Sequence, residues 1–250
     1  MSREARWRTN PLEYFTEVQG QMAVSALRVY QGSTGIYFDK IAYLSRQKPY
    51  EYTWSDIASV NGLSVNMEAP TAWNIVHHDG ALATRVNELL RELSPDLTLA
   101  EATQTDLEPA YGLWRLLQSE RGLGGGGVVL SKLLAAKRPK LIPIRDNYVL
   151  DALFESTRRN SKGESTFDMT LDDWEPWRQY MSSDYGARVT QAAEEALRLA
   201  AYPIPISVLR TIDIVVWMRH KGWQGSSGNI RKGLPPEFSF RPTFVGEFVF

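Results

Sequence analysis

The sequence predicts an all-α fold, and three observations carry that expectation. Apolar residues recur three and four positions apart in about ten separate segments. Most of those segments open on a capping side chain or a proline and close on glycine or proline. No recurring apolar–polar alternation supplies the strands of a sheet-based fold. With 250 residues, 43% of them hydrophobic, the chain has the material for one substantial core.

The elements follow in order. Asn10-Pro11 is a helix start, and the helix carries Leu12, Phe15, Val18, Met22 and Leu27 to a stop near Gly32. A second helix runs from about Ile36 to Ser45. Thr53-Trp54-Ser55-Asp56 fits a capping box with Asp in place of Glu and opens a helix to about Val60. Pro70 opens another, ending near His78, and Gly80 separates it from the helix Ala81–Leu93. Ser94-Pro95 breaks the pattern, with a short helical piece expected near Leu99. Leu107 to Arg121 is the next helix, followed by one over 128–138 that Pro139 ends.

After the apolar link Leu141-Ile142-Pro143-Ile144, Asp146 reads as the N-cap of a helix carrying Val149, Leu150, Leu153 and Phe154. A polar loop, 157–164, precedes a helix near Leu171–Met181, where Pro176 is tolerated only in the first turn. Ala187–Ala201 forms a strong helix, and Ser207 caps the last one, Val208–Lys221, with Gly222 as its stop. The reading is one domain over 1–222 and an irregular or extended C-terminal strap over 223–250.

Composition excludes several classes. The formal charge is −1, so the molecule is no polycation, although Lys132, Lys137, Arg138, Lys140, Arg145, Arg158, Arg159 and Lys162 crowd one part of the sequence. Such a cluster fits either a solvated helix face or a local anion-binding face. There is no cysteine, hence no disulfide, thiolate zinc site or iron–sulfur cluster. The N-terminal stretch lacks a signal-peptide core, and nothing approaches the ~18 apolar residues of a membrane span. A cytoplasmic protein with no membrane partner is expected. His77-His78-Asp79 has no third ligand at a useful spacing, so no metal and no cofactor are expected.

The stretch GLGGGGVVLSKLLAAKRPKLIPIRDNYV, Gly122 to Val149, orders a glycine turn, a helix, a proline, an apolar link and an aspartate at a helix start. It is not a nucleotide-binding phosphate loop: no strand precedes it, and Ser131-Lys132 reverses the required order. The order resembles that of the helix-hairpin-helix DNA glycosylases over roughly Leu107 to Phe154. KLLAAKRPKLIPIRD, with ISVLRTIDIVVWMR later, also resembles an uncharacterised bacterial family beside those glycosylases. The resemblance implies a glycosylase-like helical bundle with its helix-hairpin-helix and catalytic helix over about 107–157. It implies a phosphate-binding hairpin at Gly122, Gly124, Gly125, Gly126 and Gly127, helped by Lys132 and Arg138. Asp146 becomes the catalytic carboxylate, and double-stranded DNA the partner of a monomer.

In that chemistry the bond between base and deoxyribose breaks, and a carboxylate near the anomeric carbon stabilises the oxocarbenium-like charge and orients water. The base is first swung out of the duplex. Bifunctional members carry a lysine just after the hairpin glycines; the matching position here falls near Gly127, so hydrolysis by water without strand cleavage is implied. The base is either damaged or modified, including modified phage DNA. Tyr37, Trp54 and Tyr148 are candidates to stack on it, unless they are core. Arg210, Asp213 and Trp217 share one helical face, either as pocket residues or as an ion pair with a core tryptophan. Trp174 and Trp177 read as packing. The alternative from another class is a non-catalytic DNA-binding or protein-interaction module, with Asp146 only a cap.

Overall fold

The computed structural model describes residues 7–63, 65–119, 127–155, 158–159, 165–166 and 174–222. Among them the chain is helical throughout, apart from one short antiparallel pair, β1 (Arg158–Arg159) and β2 (Ser165–Thr166). The helices are α1 (Glu17–Tyr30), α2 (Ile36–Ser45), α3 (Trp54–Asn61), α4 (Ala69–Val76), α5 (Ala81–Glu92), α6 (Gln104–Gln118), α7 (Gly127–Lys137), α8 (Asn147–Leu153), α9 (Trp174–Met181), α10 (Asp184–Ala200) and α11 (Val208–Trp217).

Local chemistry sets most boundaries. Thr53 and Asp56 form the expected capping box, with the Thr53 amide donating to Asp56 Oδ2 at 2.8 Å. Ser207 caps α11, and its hydroxyl accepts the Arg210 amide at 3.1 Å. Asp146 is the N-cap of α8, and its carboxylate accepts the Tyr148 amide at 3.0 Å. Pro176 is the third residue of α9, where its missing N–H costs no helical bond.

Four elements depart from expectation. The first predicted helix is two pieces: Asn10 and Glu13 close a capping box on a 3-10 turn, Pro11–Phe15, and extended Thr16 breaks it from α1. α6 begins at Gln104, three residues before Leu107, because Thr103 and Asp106 make a capping box there. The piece near Leu99 is a turn, with the Leu99 amide bonded to the Lys140 carbonyl at 2.9 Å rather than within a helix. α11 ends at Trp217, and Met218–Gly222 form a π turn. The glycines 122, 124, 125 and 126, most of the loop 157–164 and the strap 223–250 lie outside the described residues.

α7 is the axis of the fold. Ten of its eleven residues are buried, so it contacts protein on every side, as a helix apolar all round must. α2, α3 and α6 pack on it directly. Lys137 and Arg138 at its C-terminal end are internal cations aimed at the carbonyl ends of neighbouring helices. Lys137 Nζ donates to the Ser45 and Lys48 carbonyls at the end of α2 (3.3 and 3.1 Å) and pairs with buried Asp56 at 2.8 Å. Arg138 donates to the Leu90 and Leu93 carbonyls at the end of α5 and to the Pro49 carbonyl, all within 3.1 Å. Two close approaches require glycine. A Cβ on Gly62 would lie 2.7 Å from the Phe38 amide nitrogen, and one on Gly186 would lie 2.2 Å from the Met181 carbonyl oxygen.

Candidate active site

The site forms where the start of α8 meets α11. Asp146 is half-buried beside exposed Asn147 and Tyr148. Across from it, Asp213 on α11 is only 6% exposed. Burial first, and then the charge of Asp146, push the Asp213 carboxyl up to about 6; Arg210 and Lys132 oppose the rise. Four charged groups, from α7, α11 and the α8 cap, therefore share one field.

Asp213 belongs to a buried network. Arg210 Nη1 donates to Asp213 Oδ2, and Arg210 Nε donates to Asp39 Oδ1 of α2 at 2.8 Å. Arg210 Nη2 reaches the Tyr30 hydroxyl, and the Tyr202 hydroxyl donates to Asp39 Oδ2 at 3.0 Å. The guanidinium also lies over the Phe38 ring, 4.9 Å from its centroid. Burial alone would lower the Arg210 pKa; Asp39, Tyr30 and Asp213 outweigh it and hold the guanidinium charged. Two carboxylates against one guanidinium leave a surplus of negative charge. The surplus falls on Asp213, whose Oδ1 is buried with no hydrogen-bond partner.

The predicted residues divide. Asp146, Tyr148, Arg210 and Asp213 come together, and half-buried Trp217 follows Asp213 by one helical turn on the same face. The ion-pair reading of Arg210 and Asp213 holds, enlarged by Asp39. Tyr37 is exposed on α2, two residues before Asp39. Trp54 is the first residue of α3 and makes no ring contact with the Asp146 group among the described residues. It instead stands exposed beside Trp73, 6.3 Å between ring centroids, with His77 stacked on Trp73.

The assignment of Lys132 and Arg138 as exposed phosphate contacts is corrected. Lys132 is 4% exposed and donates to the Leu63 carbonyl at 3.1 Å, while Arg138 is 1% exposed and spent on carbonyls. Arg145 is also buried, with its guanidinium over Trp114. Of the five members of the cluster between Lys132 and Arg145, four are thus internal, and Lys140 is on the surface, paired with Asp96 at 3.0 Å. Gly127, the one hairpin glycine within the described residues, is buried at the start of α7.

The sequence reading missed His220 and Asp151. His220 Nε2 lies 3.3 Å from Asp151 Oδ2, and its ring centroid is 6.4 Å from that of Tyr148. Arg8 Nη1 holds the other side of Asp151, 3.6 Å from Oδ1. A signal existed: Asp213, Trp217 and His220 stand at i, i+4 and i+7, one continuous stripe. Among the described residues no group of three His, Cys, Asp or Glu side chains is arranged to hold a metal ion. Among them too, no helix is long and apolar enough to cross a membrane.

A family model matches residues 12–220, a span that contains every described site residue except Arg8. The chain belongs to the DUF6308 family. It is described as a family of unknown function. No curated protein and no solved structure matches the chain. The match corrects the resemblance drawn from Leu107–Phe154: that segment lies inside the DUF6308 match, and no glycosylase family is found there. The order of glycine turn, helix, proline link and aspartate is one that a DUF6308 chain also carries. What remains is the chemistry of the site itself, two carboxylates in unlike surroundings.

Proposed function

We propose that this DUF6308 protein is a hydrolase that removes a damaged or modified nucleobase from double-stranded DNA by cleaving its N-glycosidic bond. The observation that carries the reading is the carboxylate pair. Glycosidic hydrolysis uses two carboxyl groups with different duties, and the environments here separate them. Asp146, half-buried and oriented by the Tyr148 amide, faces the developing positive charge at the anomeric carbon and orients the attacking water. Asp213, buried and raised to about 6, supplies negative potential behind it. Tyr148 and Trp217 offer ring faces to a base swung out of the duplex.

The glycine segment 122–127 leads directly into α7, and we assign it the contact with a DNA phosphate, through backbone amides rather than through Lys132 or Arg138. The protein acts as a monomer in the cytoplasm, on its own damaged DNA or on modified phage DNA. The test is excision: incubate the protein with duplexes from varied sources, hypermodified phage DNA included, and reveal abasic sites by alkali cleavage. Asp146→Asn lowers excision by about 10²–10⁴ and leaves DNA binding in place. Equal excision by the variant removes Asp146 from the chemistry.

A second reading has its own observation. Trp54 and Trp73 are both more than half exposed on adjoining helices, with their ring centroids 6.3 Å apart. Solvent-exposed tryptophans are typical contact anchors, so a binding module without chemistry remains the competing account. It expects DNA or protein binding that Trp73→Ala abolishes and Asp146→Asn leaves unchanged, with no abasic sites.

A further inference from the structure

α8 and the end of α11 run side by side in the same direction. Asp146 is coupled to Asp213 at one end, and Asp151 touches His220 at the other. Tyr148 lies between, its ring 6.4 Å from the His220 ring. His220 is in the π turn Met218–Gly222, an irregularity of the kind that commonly re-aims a side chain at a functional site. The imidazole is partly exposed, at 29%, and its ion-pair partner among the described residues is Asp151, which Arg8 fixes in turn. A partly exposed histidine oriented by a carboxylate and beside an exposed aromatic ring is arranged to exchange a proton with a bound ring system.

Resting on the base-excision reading, we propose that His220 is a catalytic residue that protonates the departing base, and that the substrate is therefore an uncharged base. The C1′–N bond breaks with its electron pair going to the base nitrogen. The His220 imidazolium gives its proton to an acceptor atom on the base ring, so the base leaves neutral rather than as an anion. Water adds to C1′ and passes a proton to the Asp146 carboxylate; that proton returns through solvent to His220. Asp151 is a positioning residue, holding the ring toward the base. A base already cationic, such as an N7-alkylated purine, leaves neutral without any proton and so bypasses His220.

That bypass is the test. Duplexes carrying a neutral base (uracil, hypoxanthine or a hypermodified phage base) and duplexes carrying 7-methylguanine are incubated with the wild type, His220→Gln and Asp151→Asn. Urea midpoints establish that each variant is folded. The expected result is release of the neutral base slowed about 100-fold in His220→Gln and less in Asp151→Asn, with 7-methylguanine release, where it occurs, unchanged in both. Release of the neutral base by His220→Gln at the wild-type rate overturns the inference and leaves base excision standing. So does a wild type that releases 7-methylguanine alone. Equal slowing on both bases also overturns it, since a structural role affects every substrate. No release of any base by the wild type overturns the base-excision reading itself.

Discussion

Replacing Asp213 with Asn makes the protein more stable at neutral pH, and the gain has a predictable pH profile. Asp39, Arg210 and Asp213 form a buried set in which two carboxylates face one guanidinium. Asp39 keeps Arg210 paired at 2.8 Å after the substitution and Lys132 keeps the Leu63 carbonyl at 3.1 Å, so neither buried cation is left without an acceptor. The folded-state pKa of Asp213 is raised from 3.8 to about 6. A group with a raised pKa binds its proton more tightly in the folded chain, so its contribution is fully present below the unfolded value and lost as pH rises through the folded one. A shift of roughly two units corresponds to about 3 kcal/mol.

Urea unfolding of wild type and variant, measured from about pH 4 to 8, tests the sign and the window. Asp213→Asn and the wild type differ least near pH 4. The variant gains on the wild type between about pH 4 and 6, and the gap levels off near 3 kcal/mol above that. The carboxylates lowered by hydrogen bonds or ion pairs, Glu101, Asp106, Glu175 and Glu195 among them, act in the opposite sense. They are common to both proteins and cancel in the difference. A gap independent of pH, or a variant less stable than the wild type at pH 8, refutes the surplus-charge argument.

Two further outcomes follow from the scaffold. Arg138→Met strands the carbonyls of Leu90, Leu93 and Pro49 inside the core and lowers stability by about 3 kcal/mol, whereas Lys140→Ala, which loses one exposed ion pair, changes it by less than about 1 kcal/mol; denaturant midpoints separate them. Ala201 ends α10 in the left-handed region at φ 50, where a Cβ costs about 1–2 kcal/mol; Ala201→Gly relieves that strain, loses part of it to unfolded-chain entropy, and raises stability by about 0.5–1 kcal/mol in the same assay.

The helices were legible because their ends are written in local chemistry. Thr53 with Asp56, Asp146 with Tyr148, and Ser207 with Arg210 each satisfy backbone amides within one turn, and such bonds depend on nothing distant. α7 was legible as a helix but not as the axis. Lys132 and Lys137 looked like a polar side because single-sequence reasoning has no term for a cation that finds carbonyl ends of other helices. Lys137 meets the end of α2 from 92 residues away in sequence, and Arg138 meets Leu90 from 48. The same blindness hid Asp39, which needs Arg210 from 171 residues on. The stripe Asp213, Trp217 and His220 was readable, yet Asp151 as its partner was not, because only the tertiary approach of α8 to α11 joins them.

The burial of the cations changes where any selectivity for nucleic acid has to come from. A protein that grips DNA through many exposed lysines and arginines binds all sequences and weakens steeply with salt. Here Lys132, Lys137, Arg138 and Arg145 neutralise carbonyl dipoles, rings and one aspartate inside the fold, and the overall charge is −1. Their burial takes four of the chain's 28 lysines and arginines out of reach of a phosphate, and on the proposed reading the contacts at this site are backbone amides and aromatic faces, so few phosphates are neutralised there. The salt slope of DNA binding is then shallow, on the order of one to three phosphates. On the proposed base-excision function, recognition would shift to the base itself, at Tyr148, Trp217 and His220, beside the two carboxylates in unequal surroundings. A steep slope would place the DNA on a basic surface elsewhere and detach it from this site.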